Sequence, residues 1–164
     1  MLCLHSDINE GKDMALKDIR NSRKDEEFVP VDAGEHADNL LNIIQKMKTG
    51  YWPVIDVEYG WYDIIVRLDA KLTSMCHNYY ITRLRKSKGN ATFSYFISNV
   101  EDRELLRKMI AEITAAQLIA QQTCEKCGSK GEETPDGMSV LCSSHAVKIK
   151  KVRQRRNDND EENQ

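Results

Sequence analysis

The chain holds 164 residues, 40% of them hydrophobic and 30% charged, and carries a net charge of −2. That length suits one domain with at most a small appended module, and the balance is polar without being disordered-like throughout. No apolar run approaches the roughly 18 residues of a transmembrane helix, so no transmembrane helix is available.

The N-terminus reads Met1-Leu2-Cys3-Leu4-His5-Ser6-Asp7, too short and too soon acidic for a secretory signal. The expected setting is therefore a reducing cytoplasm. Five cysteines then read as metal ligands or free thiols, not disulfides. The small net charge hides strong segregation. Residues 1–38 carry 5 basic against 10 acidic side chains. Residues 39–100 carry 8 against 4, residues 124–156 carry 8 against 4, and the last eight carry four acids and no base. A basic middle and a basic C-terminal module lie between acidic ends.

Residues 1–37 read as an acidic, mobile arm, with Met14, Leu16 and Ile19 on the apolar side of a short helix. From Asp38, Leu40, Leu41, Ile43, Ile44 and Met47 recur at helical spacing, and Gly50 supplies a stop. Tyr51-Trp52-Pro53-Val54-Ile55 is an apolar connector or an edge strand begun by the proline. Trp61, Ile64, Ile65, Leu68, Leu72 and Met75 make a second helical stripe, with Asp63, Arg67 and Lys71 facing away. Two strand-like runs follow, Tyr79–Leu84 and Ala91–Ile97, joined by turn chemistry at Lys86-Ser87-Lys88-Gly89-Asn90. Ser98-Asn99-Val100-Glu101 fits a capping box for a third helix. Its stripe of Leu105, Leu106, Met109, Ile110, Ile113 and Leu118 continues to about Gln122 and runs directly into Cys124. The expected organisation is an arm over 1–37, an α+β core over 38–123, a finger over 124–152 and a charged tail over 153–164.

The strongest signal is C-x2-C-x14-C-x2-H, formed by Cys124, Cys127, Cys142 and His145. Four soft or borderline ligands in two close pairs match a closed tetrahedral zinc site. Gly128 permits the sharp backbone of a zinc knuckle, and Gly131, Pro135, Asp136 and Gly137 supply turns. Cys142 then opens a helix, whose N-terminus favours the thiolate. Knuckle, hairpin and a helix carrying the second ligand pair make a treble-clef-like order. With all four positions filled by protein, the zinc is structural and contributes folding free energy. A thioredoxin-like context for the C-x-x-C pair is absent. A nuclease of the HNH type needs a further histidine, and none lies between Cys127 and Cys142.

Other chemistry is thinner. Cys76-His77 reads as a buried cysteine beside a surface histidine, and Cys3 and His5 have no visible metal partners. Asp56, Glu58 and Asp63 read as solvated turn residues, since no base, nucleophile or phosphate loop accompanies them. Tyr51, Trp52, Tyr59, Trp61 and Tyr62 read mainly as core, with base stacking or a protein hot spot as the rival. The expectation is therefore no enzyme. Basic residues are more suggestive. Arg83, Arg85, Lys86 and Lys88 gather at the hairpin tip, and Lys148, Lys150, Lys151, Arg153, Arg155 and Arg156 crowd the stretch after the finger. Such charges can neutralise phosphates or meet an acidic partner. Asp158, Asp160, Glu161 and Glu162 follow at once and can screen them.

In this order, residues of about 51–146 resemble a small protein family common in bacteriophages and prophages. The matching pieces are Gly60-Trp61-Tyr62-Asp63-Ile64-Ile65, Phe93-Ser94-Tyr95, Thr123-Cys124-Glu125-Lys126-Cys127-Gly128 and Leu141-Cys142-Ser143-Ser144-His145-Ala146. The family's hairpin tip carries a Lys-Glu-Lys-Phe-Gly-type run. Here Arg85-Lys86-Ser87-Lys88-Gly89-Asn90 is more basic and lacks the aromatic. The resemblance implies architecture and a phage origin, not a reaction. Together these readings anticipate a zinc-containing accessory protein in a host bacterial cytoplasm that binds a host protein complex. Direct DNA or RNA binding through the two basic patches is the alternative, and an enzyme of unrecognised class the third.

Overall fold

Leu40, Ile43 and Ile44 share one face of helix α1, Ala37–Gln45, and all three are buried. The computed structural model describes residues 28–47, 53–87 and 90–147. Strand β1, Ile55–Asp56, is followed by a short 3-10 turn at Tyr59–Trp61 and by helix α2, Tyr62–Met75. Strands β2, Tyr80–Lys86, and β3, Phe93–Ser98, form the expected hairpin. Helix α3, Arg103–Ala120, leads to a small hairpin of β4, Glu132–Glu133, and β5, Val140–Leu141. A helical stretch over 143–147 closes the described chain. The architecture is mixed α+β, as the sequence implied. Among the described residues no helix is long and apolar enough to cross a membrane.

The main sheet has the order β1-β2-β3, with β1 parallel and β3 antiparallel to β2. Ile55, Ile81, Leu84, Phe93 and Tyr95 join Leu40, Trp61, Ile65, Leu72 and Met109 in one core. A β-bulge sets which side chains reach it. Ile81 pairs with Ile97 and Arg83 with Phe96, so Thr82 is an extra residue in β2. In a regular strand, Ile81 and Leu84 would point to opposite faces. The bulge lets both enter the core and turns Arg83 and Arg85 to the outer face, where both are exposed.

Three sequence expectations are corrected. Helix α1 ends at Gln45 and Met47 leaves its stripe, forming instead a parallel bridge to Ile81 of β2. The proposed stop at Gly50 lies outside the described residues. The capping box at Ser98 is not used. Ser98 is still paired with Tyr80 in the sheet, and Asn99 turns the chain at a positive φ of 66°. Asp102 caps α3 instead, its carboxylate accepting from the Glu104 and Leu105 amides at 2.8 and 3.1 Å. Finally, α3 buries Met109, Ile113, Ala116 and Ala120, leaving Ile110 and Leu118 49% and 56% exposed. Small alanines allow close approach of the helix to the core, so its buried face is rotated from the one that large side chains suggested.

One buried charge ties the layers together. The Asp69 carboxylate on α2 accepts from Lys46 Nζ at 2.5 Å, from the Tyr79 hydroxyl at 2.5 Å and from the Tyr95 hydroxyl at 3.3 Å. Lys46 Nζ also donates to Thr73 Oγ1 at 2.7 Å. The network joins the residue after α1, the middle of α2, the residue before β2 and strand β3. Removing one partner of such a group leaves an uncompensated buried charge, which is strongly destabilising. Burial, reinforced by Asp69, pushes the Tyr79 phenol well above its ordinary value, and burial does the same to Tyr95. A raised folded-state pKa means stability is complete below the unfolded tyrosine value of about 10 and is lost as pH rises above it. Chemical denaturation between pH 9 and 11.5 should therefore show stability falling above pH ~10. The fall should be shallower in Tyr79→Phe, by up to about 1.4 kcal/mol per pH unit.

Candidate metal centre

The first ligand pair sits on a knuckle that follows α3 without a linker. The chain leaves the helix through Gln121, and Thr123 bridges Lys130. The Cys124 carbonyl accepts from the Cys127 amide at 3.3 Å and the Gly128 amide at 2.9 Å, which closes the turn. Gly128 takes the positive φ of 74° that this turn demands. The second pair flanks the start of the C-terminal helical stretch. Cys142 lies immediately before it, and its carbonyl accepts from the His145 amide at 3.0 Å and the Ala146 amide at 2.9 Å. The hairpin β4–β5 carries the chain between the pairs. Knuckle, hairpin and helix start reproduce the anticipated treble-clef-like order.

The four ligand atoms all lie within 4.8 Å of one another. Cys127 Sγ is 3.8 Å from Cys142 Sγ, and His145 Nδ1 is 3.4 Å from Cys124 Sγ and 3.2 Å from Cys142 Sγ. Tetrahedral coordination at ordinary Zn–S and Zn–N lengths needs S···S of about 3.8 Å and S···N of about 3.6 Å. The residues present therefore fit a metal ion. Cys124 is buried at the inner end and Cys127 exposed at the outer end. Burial raises the Cys124 thiol, while hydrogen bonds from the Ser129 hydroxyl and amide lower the Cys127 thiol to about 6. At neutral pH the outer cysteine thus favours the thiolate that a metal requires.

The knuckle is docked on the core at close range. The Gly60 amide donates to the Glu125 carbonyl at 2.8 Å. A Cβ at Gly60 would stand 2.1 Å from the Cys124 carbonyl oxygen and 2.5 Å from the Gly128 nitrogen. Only glycine fits there. The neighbouring Trp61 is fully buried, packs at a tilt against Phe93, and donates from Nε1 to the Thr123 carbonyl at 2.9 Å. Tyr62 donates to Asp32 at 2.9 Å, which holds the loop before α1. The Gly-Trp-Tyr segment therefore clamps knuckle, core and N-terminal loop in three successive residues.

Two ion pairs complete the dock. Glu125, between the first two cysteines, is 3% exposed and accepts from Lys86 Nζ at 2.7 Å. Lys86 also donates to Ser139 Oγ at 3.1 Å. At the surface Lys126 pairs with Glu58 at 2.6 Å. Val140 of β5 belongs to the main hydrophobic core. The finger and the core share one interior.

Of the residues singled out from sequence, the four metal ligands converge. Arg83 and Arg85 are exposed on β2, with the Arg83 guanidinium 5.4 Å from the Phe96 ring centroid. Lys86, grouped with them by sequence, turns inward to Glu125. Lys88, Lys148, Lys150, Lys151, Arg153, Arg155 and Arg156 lie outside the described residues, as do the arm's first 27 residues, Tyr51, Trp52 and the acidic tail. Cys76 is buried and His77 exposed, as anticipated. Glu58 is a docking residue, not merely a solvated turn carboxylate. Sequence reasoning missed Glu125, Lys86's partnership and the Asp69 network, because pairing between residues distant in sequence leaves no local pattern. Comparison of the chain with family models, with curated proteins and with solved structures finds no match.

The Gly60 contact is directly testable. Gly60→Ala should destabilise the metal-loaded protein by about 3 kcal/mol, near the top of the usual overpacking range. It should also weaken metal retention in a chelator competition titration, although residue 60 is not a ligand.

Proposed function

We propose that this protein is a zinc-stabilised, non-catalytic accessory protein that works by binding a macromolecule of its host. The observation that carries the reading is the closed three-cysteine, one-histidine group seated against Gly60 and Trp61. Zinc suits the donor set and spacing. Four protein ligands leave no open coordination position for a substrate, so the ion's task here is to hold the knuckle. The chemistry it supplies is cross-linking of two chain segments, worth much of the local folding free energy.

A host-directed role draws on other features. The resemblance of residues of about 51–146 to a phage and prophage family supports a viral setting. Segregated charge supports recognition of a charged partner, because clusters of one sign steer encounter and select complementary surfaces. The rigid docking of the finger supports a fixed recognition surface. In this reading the ligand residues are Cys124, Cys127, Cys142 and His145, and the protein performs no covalent chemistry.

Full-length protein purified without chelator should carry about one zinc per chain. Cys127→Ser should lose that zinc and melt at lower temperature, whereas Cys76→Ser should keep it. Stoichiometric zinc in Cys127→Ser would contradict the ligand set. Tagged protein captured from a bacterial lysate should retain a stoichiometric macromolecule, and a chain that elutes alone would contradict the binding role.

A further inference from the structure

The outer face of the main sheet carries an arrangement that the zinc site does not explain. Helices α1 to α3 share the core with the inner face, through Ile81, Leu84, Phe93 and Tyr95. On the outer face, Arg83 stands opposite Phe96, and Arg85 stands between Asp56 and Ser94 in register. Tyr80 stands opposite Ser98 at the other end. Phe96 is 53% exposed and Tyr80 40%. The bulge at Thr82 is what turns both arginines to this side. Bulges commonly re-aim side chains beside functional sites.

Two exposed arginines lie on this face beside an exposed aromatic ring. Lys46, Lys86 and Lys126 are each held by a carboxylate within 2.7 Å. Among the described residues no ion pair holds Arg83 or Arg85. Both side chains are exposed, and the carboxylate-bearing Asp56 is the register neighbour of Arg85. Arg83 lies over the Phe96 ring, which orients its planar group without neutralising it.

Flat rings and exposed guanidiniums on one sheet face fit a particular ligand chemistry. The ligand must present flat apolar faces and negative charges in alternation along its length. A single-stranded nucleic acid does this, with bases to stack on aromatic rings and on Arg83, and phosphates to meet Arg85. An acidic peptide without aromatic residues, such as polyglutamate, offers the charge but not the rings. A duplex offers the phosphates but hides its bases from a flat surface. We infer that the outer face of the β1-β2-β3 sheet is a binding surface for single-stranded nucleic acid, with Phe96 and Arg83 as its stacking platform and Arg85 as its phosphate contact. This rests on the proposed binding role and names the partner class for it. The surface is separate from the zinc ligands, and Lys86 is not part of it.

The test uses the full-length, zinc-loaded chain and fluorescence anisotropy with labelled 20-nucleotide single strands of thymidine and of mixed sequence. The matching duplex and a polyglutamate peptide serve as competitors. The single strands should bind and the duplex should compete at least tenfold less well. Phe96→Ala should weaken binding about five- to hundredfold, as expected for loss of one stacked base. Arg85→Ala should weaken it and reduce the slope of log affinity against log salt by about 0.7, the value of one phosphate contact on a single strand. Arg103→Ala and Lys130→Ala remove exposed positive charge elsewhere and should leave the Phe96 effect unchanged. Zinc content and circular dichroism on the same samples separate the two proposals. A folded, zinc-loaded chain that ignores single strands overturns the sheet-face assignment while leaving the zinc reading intact. Binding that is unaffected by Phe96→Ala and Arg85→Ala, but lost when Lys148, Lys151, Arg153 and Arg155 are reversed to Glu, also overturns it and moves the site to the basic C-terminal run. Equal competition by polyglutamate overturns it in favour of an acidic protein partner.

Discussion

The rest of this structure depends on the contact between Gly60 and the metal knuckle. Backbone meets backbone there, with no side chain between the 3-10 turn before α2 and the turn that carries Cys124 and Cys127. A backbone contact this close fixes two segments relative to each other without adjustable side chains. Trp61 then spans the same joint, buried in the core at its ring and bonded to the Thr123 carbonyl at its nitrogen. The metal ligands organise one partner of this joint, and the hydrophobic core organises the other. The finger is consequently a wall of the domain and not an appendage to it.

Two buried carboxylates set the register of the remaining layers. Glu125 faces Lys86 across the joint, and Asp69 faces Lys46, Tyr79 and Tyr95 within the core. A buried ion pair adds little net stability compared with apolar packing, because both charges lose their water. Its larger effect is on alternatives. A slipped hairpin or a rotated helix would leave a buried charge without a partner, which costs more than a poorly filled apolar contact. In β2 the bulge at Thr82 serves the same end. It brings Ile81, Leu84 and Lys86 to the inner side while sending Arg83 and Arg85 outward. One irregularity thus divides core, dock and surface among neighbouring residues.

The elements whose signals are local were legible in the sequence. Helices α1 and α2 and the β2–β3 hairpin follow from periodicity and turn residues. The metal group follows from cysteine and histidine spacing, which reports a covalent-scale geometry. What was not legible depends on contacts between distant segments. Ser98 has the right chemistry for a helix cap, but the sheet holds it to Tyr80 and Asp102 takes the role. Ile110 and Leu118 have the right character for a core, but Ala116 and Ala120 allow the closer packing and claim it. Lys86 looked like one more exposed cation until Glu125 met it from 39 residues away. Gly60 stood out only within its Gly-Trp-Tyr segment, although the space that its missing side chain leaves is what admits the knuckle.

These features give a coherent division of labour. The candidate metal group docks on the core through Gly60 and Trp61, and the same core backs the bulged sheet. The central claim is that metal ligation and the core are one cooperative unit. Amide hydrogen exchange on the metal-loaded and metal-stripped full chain tests it most directly. The account predicts that stripping the metal raises exchange at the Gly60 amide and the Trp61 indole together with the knuckle amides of residues 124–128. Exchange that rises only over residues 124–145, with Gly60 and Trp61 still protected, would show an independent finger and contradict it.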